Sequence, residues 1–286
     1  MTKSSCNIIS LNNKAISLVQ EGEGKSAVKI FLQALGMLKS ELCGRNDQSI
    51  CSTSQATGAC GNDASSCSSS NTAAANPFFR VLITKDQGQQ LPTGEHQQQH
   101  VFTRFDRLLA LNPTVDPCAP HQRDGTTACL LYNMALAEER LSLRHTAVNT
   151  NGDNGTTEQH GKLQKMMLKK AANIYGMAYS AAQHWKRWTI DHPGYDVLCL
   201  AIVNNLVGIH QQLSSSSTNH HSGSKVRDLV SCFRSAFLVS NKEDKDINDE
   251  EHSLFRANLE RHQDDQSMQA VQDATAANGS AATQVQ

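Results

Sequence analysis

The chain has 286 residues and a formal net charge of −1 at pH 7. Hydrophobic residues make up 38% of it and aromatic residues 5%, which is low for a compact globule of this length. Much of the chain is therefore expected to be solvated rather than core. The near-neutral charge gives no overall attraction to nucleic acid or to an anionic membrane, so neither is expected as a partner.

The cysteines and the N-terminus favour an intracellular protein. Nine cysteines are present, an odd number without a CxxC pair, and three of them lie in a Ser-rich tract. The N-terminus has no apolar signal segment, and no apolar run approaches the length of a bilayer span. We therefore expect reduced thiols and a cytoplasmic location, with the nucleus as the alternative.

The first periodic block predicts one helix pair within residues 1–43. Apolar residues recur at helical spacing from Ile8, stop at Gly22 and Gly24, and resume from Ala27.

Residues 44–125 predict a mostly disordered insertion. Residues 44–76 are dominated by small polar residues and cannot bury enough apolar surface to offset the entropy of ordering. Two pieces differ, FFRVLITKD at 78–86 and HVFTRFDRLLALNP at 100–113, because they are rich in β-branched, aromatic and aliphatic residues. Each predicts an extended segment laid against the helices; for the second, the start of a short helix is the alternative.

Residues 126–262 predict two further helix pairs and a C-terminal capping helix. Thr126 or Thr127 is expected to be the N-cap of the first of these helices. Polar linkers separate the helices, and residues 263–286 predict a disordered tail.

One short pattern occurs three times. A small or aliphatic residue is followed four positions later by an aromatic residue and three further on by Ala. The copies are Ala27, Phe31 and Ala34; Ala171, Tyr175 and Ala178; and Leu229, Phe233 and Ala236. Each copy follows an Asn that lies two residues before a small or branched residue. These pairs are Asn13 and Ala15, Asn133 and Ala135, and Asn205 and Val207. Small residues let two helices approach and a ring fills the wedge between pairs, so the pattern predicts a helical repeat array.

The first copy resembles the tetratricopeptide repeat. Its matching residues are Ala15, Leu18, Gly22, Ala27, Phe31 and Ala34. The other two copies depart from that family because both have insertions between their helices, and another type of helical bundle is the alternative fold. The resemblance implies an all-α fold, a short α-solenoid of about three antiparallel helix pairs with disordered insertions and a disordered tail. It also implies that Asn13, Asn133 and Asn205 line a concave groove.

A column of asparagines can bind the main chain of an extended peptide, since each carboxamide offers a donor and an acceptor. A similar asparagine ladder lines the peptide groove of the O-linked N-acetylglucosamine transferases, so the resemblance supports this use. The alternative is that the amides only fix neighbouring helices. Peptide binding predicts that Asn133→Ala weakens capture at a nearly unchanged melting temperature, and a structural role predicts a loss of stability with intact binding.

We therefore expect a non-catalytic adaptor or scaffold that binds a protein or peptide. The tails of heat-shock chaperones are not expected, because the positions that would hold basic residues carry Asn12, Ala201 and Asn205. One alternative is a regulatory protein that acts through its Ser/Gln-rich insertion. Another is an RNA-binding repeat, which would need more basic residues along the groove.

No motif predicts catalysis, a cofactor or a metal. Phosphate loops and nucleophile elbows are missing from the sequence. Cys129 begins a predicted helix, where a thiolate would be stabilised, but its apolar neighbours favour packing. His96 and His100 have no acidic or Cys companion, so no zinc site is expected. Trp185 is interpreted either as part of a partner surface or as packing beneath the next turn.

Overall fold

A computed structural model describes residues 3–46, 78–83, 103–147, 157–187, 194–215, 221–243 and 249–263. These residues are mainly helical, as predicted, and include a two-stranded antiparallel sheet. The helices are α1 (Lys3–Gln20), α2 (Gly24–Asn46), α3 (Pro120–Ala147), α4 (Thr157–Lys186), α5 (Tyr195–Ser215), α6 (His221–Glu243) and α7 (249–263). The strands are β1 (Phe79–Ile83) and β2 (Arg107–Leu111).

Consecutive helices pack against one another along the chain, from α1 with α2 through to α5 with α6. The repeated residues lie in this interior. Those with essentially no exposed surface are Ala15, Ala27, Phe31, Ala34, Ala135, Ala171, Tyr175, Ala178, Val207 and Phe233, whereas Leu229 and Ala236 are partly buried. The three aromatic residues of the pattern thus belong to one hydrophobic core.

The turn between α1 and α2 depends on a glycine. Gly22 has a φ of 89°, in the left-handed region that residues with a side chain rarely adopt. Its N–H donates to the Val19 carbonyl, and the next N–H donates to the Leu18 carbonyl, so two carbonyls in the last turn of α1 are satisfied. The Arg144 guanidinium donates to the Gly22 carbonyl at 2.5 Å, which ties this turn to α3.

Helix α3 begins six residues earlier than predicted, at Pro120 rather than at Thr126. Proline suits the first helical turn because its missing N–H would have no helical partner there. The Ala119 carbonyl accepts from the N–H groups of Gln122 and Arg123, which starts the helix. The N-cap prediction for Thr126 and Thr127 is therefore wrong, and both residues lie inside α3.

Both predicted extended pieces form strands. Strand β1 pairs with β2 in antiparallel register, with Val81 opposite Leu109, and β2 lies against α1 and α3. The alternative of a short helix for the second piece is therefore wrong. The disorder predicted within 44–76 falls outside the described residues from 47 onward, as does that of the tail from 264 onward.

Helix α5 is the one described helix that is long and apolar enough to cross a bilayer. In this fold, 72% of the apolar window is buried against other parts of the protein. Core helices meet the same criteria, so this feature is only weak evidence for membrane insertion.

Candidate functional site

The most distinctive site is an extended segment held across the odd-numbered helices. We call residues 103–111 the bound strand; they comprise the stretch 103–106 followed by β2. Five asparagine side chains bind its main chain or one another, and we call these five the asparagine ladder. They are Asn12 of α1, Asn133 of α3, Asn204 and Asn205 of α5, and Asn258 of α7.

Three members of the asparagine ladder, Asn133, Asn205 and Asn258, each bind both main-chain groups of one residue. The Asn133 amide oxygen accepts from the Leu109 N–H at 2.9 Å, and its nitrogen donates to the Leu109 carbonyl at 2.8 Å. Asn205 binds Phe105 in the same way, at 2.8 Å and 3.1 Å. A carboxamide matches an extended residue because donor and acceptor stand side by side in both groups.

The two ends of the bound strand are held by the outer members of the ladder. Asn258 accepts from the Thr103 N–H at 2.9 Å and donates to its carbonyl at 2.7 Å, and Asn204 donates to the same carbonyl. At the other end, Asn12 donates to the Leu109 carbonyl at 3.3 Å. The bound strand therefore runs from α7 across α5 and α3 to α1.

All main-chain groups bound by the ladder belong to alternate residues. In an extended chain the N–H and C=O of every second residue point to the same side, which explains contacts at 103, 105 and 109. At the intervening position the Tyr132 hydroxyl takes over, lying 3.0 Å from the carbonyl oxygens of Phe105 and Arg107. The opposite side of the strand pairs with β1, where Leu108 faces Leu82.

Of the three asparagines singled out in the sequence, Asn133 and Asn205 bind the bound strand, whereas the Asn13 side chain does not. Asn13 is exposed, and its side chain accepts a 3.4 Å hydrogen bond from Asn12, which is fully buried. The buried face of α1 includes Ile8, Asn12 and Ala15. Asn13, two residues before Ala15, therefore lies on another face of the helix. In α1 the ladder position is therefore Asn12.

The charged side chains of the bound strand also have opposite charges beside them. Arg104 forms an ion pair with Glu139 of α3, with 2.7 Å between Nε and Oε1. Asp106 accepts from Arg140 Nε at 2.8 Å. Arg107 pairs with Glu250 at 2.5 Å and with Glu251 at 3.4 Å, both on α7.

A buried polar chain connects these charges with the ladder. The Tyr175 hydroxyl donates to Glu139 Oε2 at 3.1 Å, and the Asn205 amide donates to that hydroxyl at 3.0 Å. Burial raises the pKa of the Glu139 carboxyl, while Arg104 and the Tyr175 hydroxyl act in the opposite direction. Burial also raises the pKa of Tyr175, so this phenol stays protonated and serves as a donor at neutral pH. Tyr175, predicted as a packing residue of the repeat, thus also hydrogen-bonds Glu139 and Asn205, which contact the bound strand.

Two other residues singled out in the sequence, Trp185 and Cys129, are buried in the core. Trp185 is fully buried, with its ring 4.6 Å from that of Phe78 and 6.0 Å from that of Tyr195, as its packing interpretation predicted. Cys129 lies well inside α3 instead of at a helix start, and burial raises the pKa of its thiol. Its sulfur contacts the Leu109 carbonyl at 3.5 Å.

Compared with known proteins, the chain matches no family model, no curated protein and no solved structure. Within the described residues, no group of three or more His, Cys, Asp or Glu side chains is placed to hold a metal ion. His96 and His100 lie outside the described residues.

Sequence reasoning missed Asn12, Asn204 and Asn258 as site residues. It predicted that residues 100–113 contain an extended segment laid against the helices, but not that the asparagines bind this segment. The sequence held a signal for Asn12 and Asn258, because both stand within apolar helix faces. Asn258 lies one helical turn after Phe255. A polar residue at such a position needs a buried partner.

Proposed function

We propose that this protein is a non-catalytic interaction adaptor that binds an extended peptide segment in a groove of a tetratricopeptide-like array. The bidentate pairing of Asn133 and Asn205 with main-chain groups carries this proposal. Such contacts require an extended backbone and depend little on its side chains, as an adaptor groove requires. The bound strand is the ligand that the groove holds within its own chain.

The fold part of the proposal rests on the order of the contacts. The bound strand meets α7, α5, α3 and α1 in turn, and the repeated aromatic residues come from α2, α4 and α6. One set of helices therefore faces the strand and the alternate set carries the rings. This division is the one that stacked helix pairs with a common groove would have.

The apolar contacts decide how a partner could enter. Phe105, Leu108 and Leu109 have no exposed surface, and Leu111 has 1%. Exposing four such side chains costs roughly 6–12 kcal/mol, which is comparable to the whole stability of a typical domain. An empty groove is therefore not populated, and a partner has to replace the bound strand with an equivalent segment.

Exchange of one segment for another keeps the apolar burial nearly constant. The remaining advantage of the bound strand is its tether, which gives it an effective concentration on the order of millimolar. We therefore expect a free peptide with the bound-strand sequence to occupy the intact protein only at about millimolar concentration. Weakening the internal strand should lower the concentration needed.

The test is a fluorescence anisotropy titration with a labelled peptide, TRFDRLLAL, copied from residues 103–111. The chain carrying Phe105→Ala should bind it more tightly than the intact chain does. If that variant does not fold, Asp106→Lys replaces it, because the Asp106 side chain is 42% exposed. Binding that is equally weak in the intact chain and in a folded variant would overturn the proposal.

Two controls isolate the main-chain contacts. A peptide methylated on the nitrogens that correspond to Phe105 and Leu109 cannot donate to Asn205 and Asn133, and it should bind at least about tenfold more weakly. Adding Asn13→Ala to the binding variant should leave peptide affinity unchanged, because the Asn13 side chain is exposed and does not contact the bound strand.

A further inference from the structure

We infer that the partner segment is selected by its charge order, a basic residue, an aromatic residue, an acidic residue and a second basic residue, followed by two aliphatic residues. This inference rests on the proposed function and specifies the ligand of the same groove. The bound strand has this order in Arg104, Phe105, Asp106 and Arg107, followed by Leu108 and Leu109. Each of the first four has a matching contact on the surrounding helices.

Helices α3 and α7 contact opposite faces of the segment. The side chains of Arg104 and Asp106, which leave an extended chain on one face, contact the consecutive α3 residues Glu139 and Arg140. Consecutive residues of opposite sign on α3 thus require opposite signs two positions apart in the ligand. Reversing that order would place like charges together.

Helix α7 contacts the other face of the segment. The Phe105 ring stacks on that of Phe255, with 5.2 Å between centroids and 24° between planes. Arg107 leaves the strand on the same face and pairs with Glu250 and Glu251. An aromatic residue followed two positions later by a cation therefore fits α7.

The pairs differ in how strongly they select. Glu139 and Glu251 have only 1% and 2% of their side chains exposed, so a ligand without a cation would remove the ion-pair partner of a buried carboxylate. Such loss of one partner in a buried pair weakens binding far more than loss at a solvated pair. Glu250 is 70% exposed and contributes little. Positions 104 and 107 should therefore dominate selection.

A partner of this kind is a foreign extended segment rather than a membrane or a nucleic acid. The surface that binds the segment has two buried carboxylates, Glu139 and Glu251, which would repel the phosphates of a nucleic acid or an anionic membrane. Its asparagine amides bind an extended main chain. Its apolar positions require two adjacent aliphatic residues, matching the fully buried Leu108 and Leu109.

The test compares two labelled peptides on the Phe105→Ala chain, with the Asp106→Lys chain as the second background. One has the bound-strand sequence; the other carries Arg104→Glu, Asp106→Arg and Arg107→Glu and keeps the same length and apolar residues. We expect the affinity of the charge-swapped peptide to be lower by a factor of about 30 or more. Arg140→Asp, introduced into the chain, should shift preference toward a peptide with Asp106→Arg alone.

The outcomes separate this inference from the proposed function. Equal affinity for both peptides would overturn the charge selection and leave the peptide groove in place. Binding of neither peptide would overturn both. Native mass spectrometry supplies a third readout. If two copies of the chain exchange bound strands and form a dimer that takes up no peptide, the assignment to a foreign segment is overturned.

Discussion

Asn133 of α3 and Leu109 of the bound strand exchange two hydrogen bonds, at 2.9 Å and 2.8 Å, with both residues fully buried. The side chain of a helix thus satisfies the main chain of a strand in the way that a neighbouring strand would. The asparagine ladder lies on one side of β2 and β1 on the other, so both main-chain groups of Leu109 are bound on the side that faces away from β1.

Asn133→Ala should destabilise the protein by about 1–3 kcal/mol, because the buried Leu109 N–H loses its acceptor. The Leu109 carbonyl keeps its contact with Asn12. Chemical denaturation measures the change, and Asn13→Ala, at an exposed position, should stay within about 0.5 kcal/mol of the parent. This result would replace the sequence-based expectation of an unchanged melting temperature. Equal stabilities of the two variants would contradict the described contacts.

Gly125→Ala should be destabilising by about 1–3 kcal/mol, since the new Cβ would lie 2.6 Å from the Trp185 ring, which is enclosed by other aromatic rings. Gly176→Ala is the matched control. It lies in α4, and no neighbouring side chain comes within 4 Å of the place that its new methyl group would occupy. This second substitution should therefore stabilise the helix by about 0.5–1 kcal/mol. Urea unfolding of both variants should give changes of opposite sign.

Glu139 should make stability depend on pH. Burial raises its folded-state pKa above the ordinary value of 4.5, so above that pH the folded state holds more protons than the unfolded state. Its contribution is therefore most favourable below about pH 4.5 and falls as pH rises through the folded-state pKa. The groups facing it are Arg104, Tyr175, Asp106 and Arg140.

Comparison with Glu139→Gln isolates this contribution. The free energy of unfolding of the parent should decline relative to the variant as pH increases from about 4.5, whatever the constant offset between them. Urea unfolding at several pH values measures the difference. A parent that gains stability over the variant across this range would show that the folded-state pKa is lowered instead.

The cysteines should differ in reactivity according to burial. Cys6 is exposed, whereas burial raises the pKa of Cys199 to about 12 and raises that of Cys129 as well. Brief treatment of the native protein with iodoacetamide should alkylate Cys6 and spare the other two, because the thiolate is the reactive form. Peptide mass spectrometry with and without urea checks this. Alkylation of native Cys129 at the rate of Cys6 would contradict its burial.

The sequence predicted the helices better than their boundaries. Apolar periodicity located every described helix, because each buries one face whatever its neighbours are. The early start of α3 was missed, since the Pro120 signal competed with two threonines that resemble caps. The spacing singled out Asn133 and Asn205, which bind the bound strand, but in α1 it singled out Asn13 rather than the buried Asn12.

The occupant of the site could not be predicted from local pattern. The contact between Asn258 and Thr103 joins residues 155 positions apart, and nothing near either residue specifies the other. The segment around Arg104 to Leu109 reads locally as a short strand or the start of a helix. Its extended form is selected by asparagines on four separate helices.

The path of residues 103–111 limits how the helices can move. An extended backbone already rises about 3.4 Å per residue and is close to its greatest length, so it cannot stretch when the layer beneath it widens. In ordinary stacked arrays each unit touches only its neighbours and can unravel from an end. Here the bound strand joins α7 to α1 by way of α5 and α3, so moving α1 or α7 outward would strain its hydrogen bonds with all four helices.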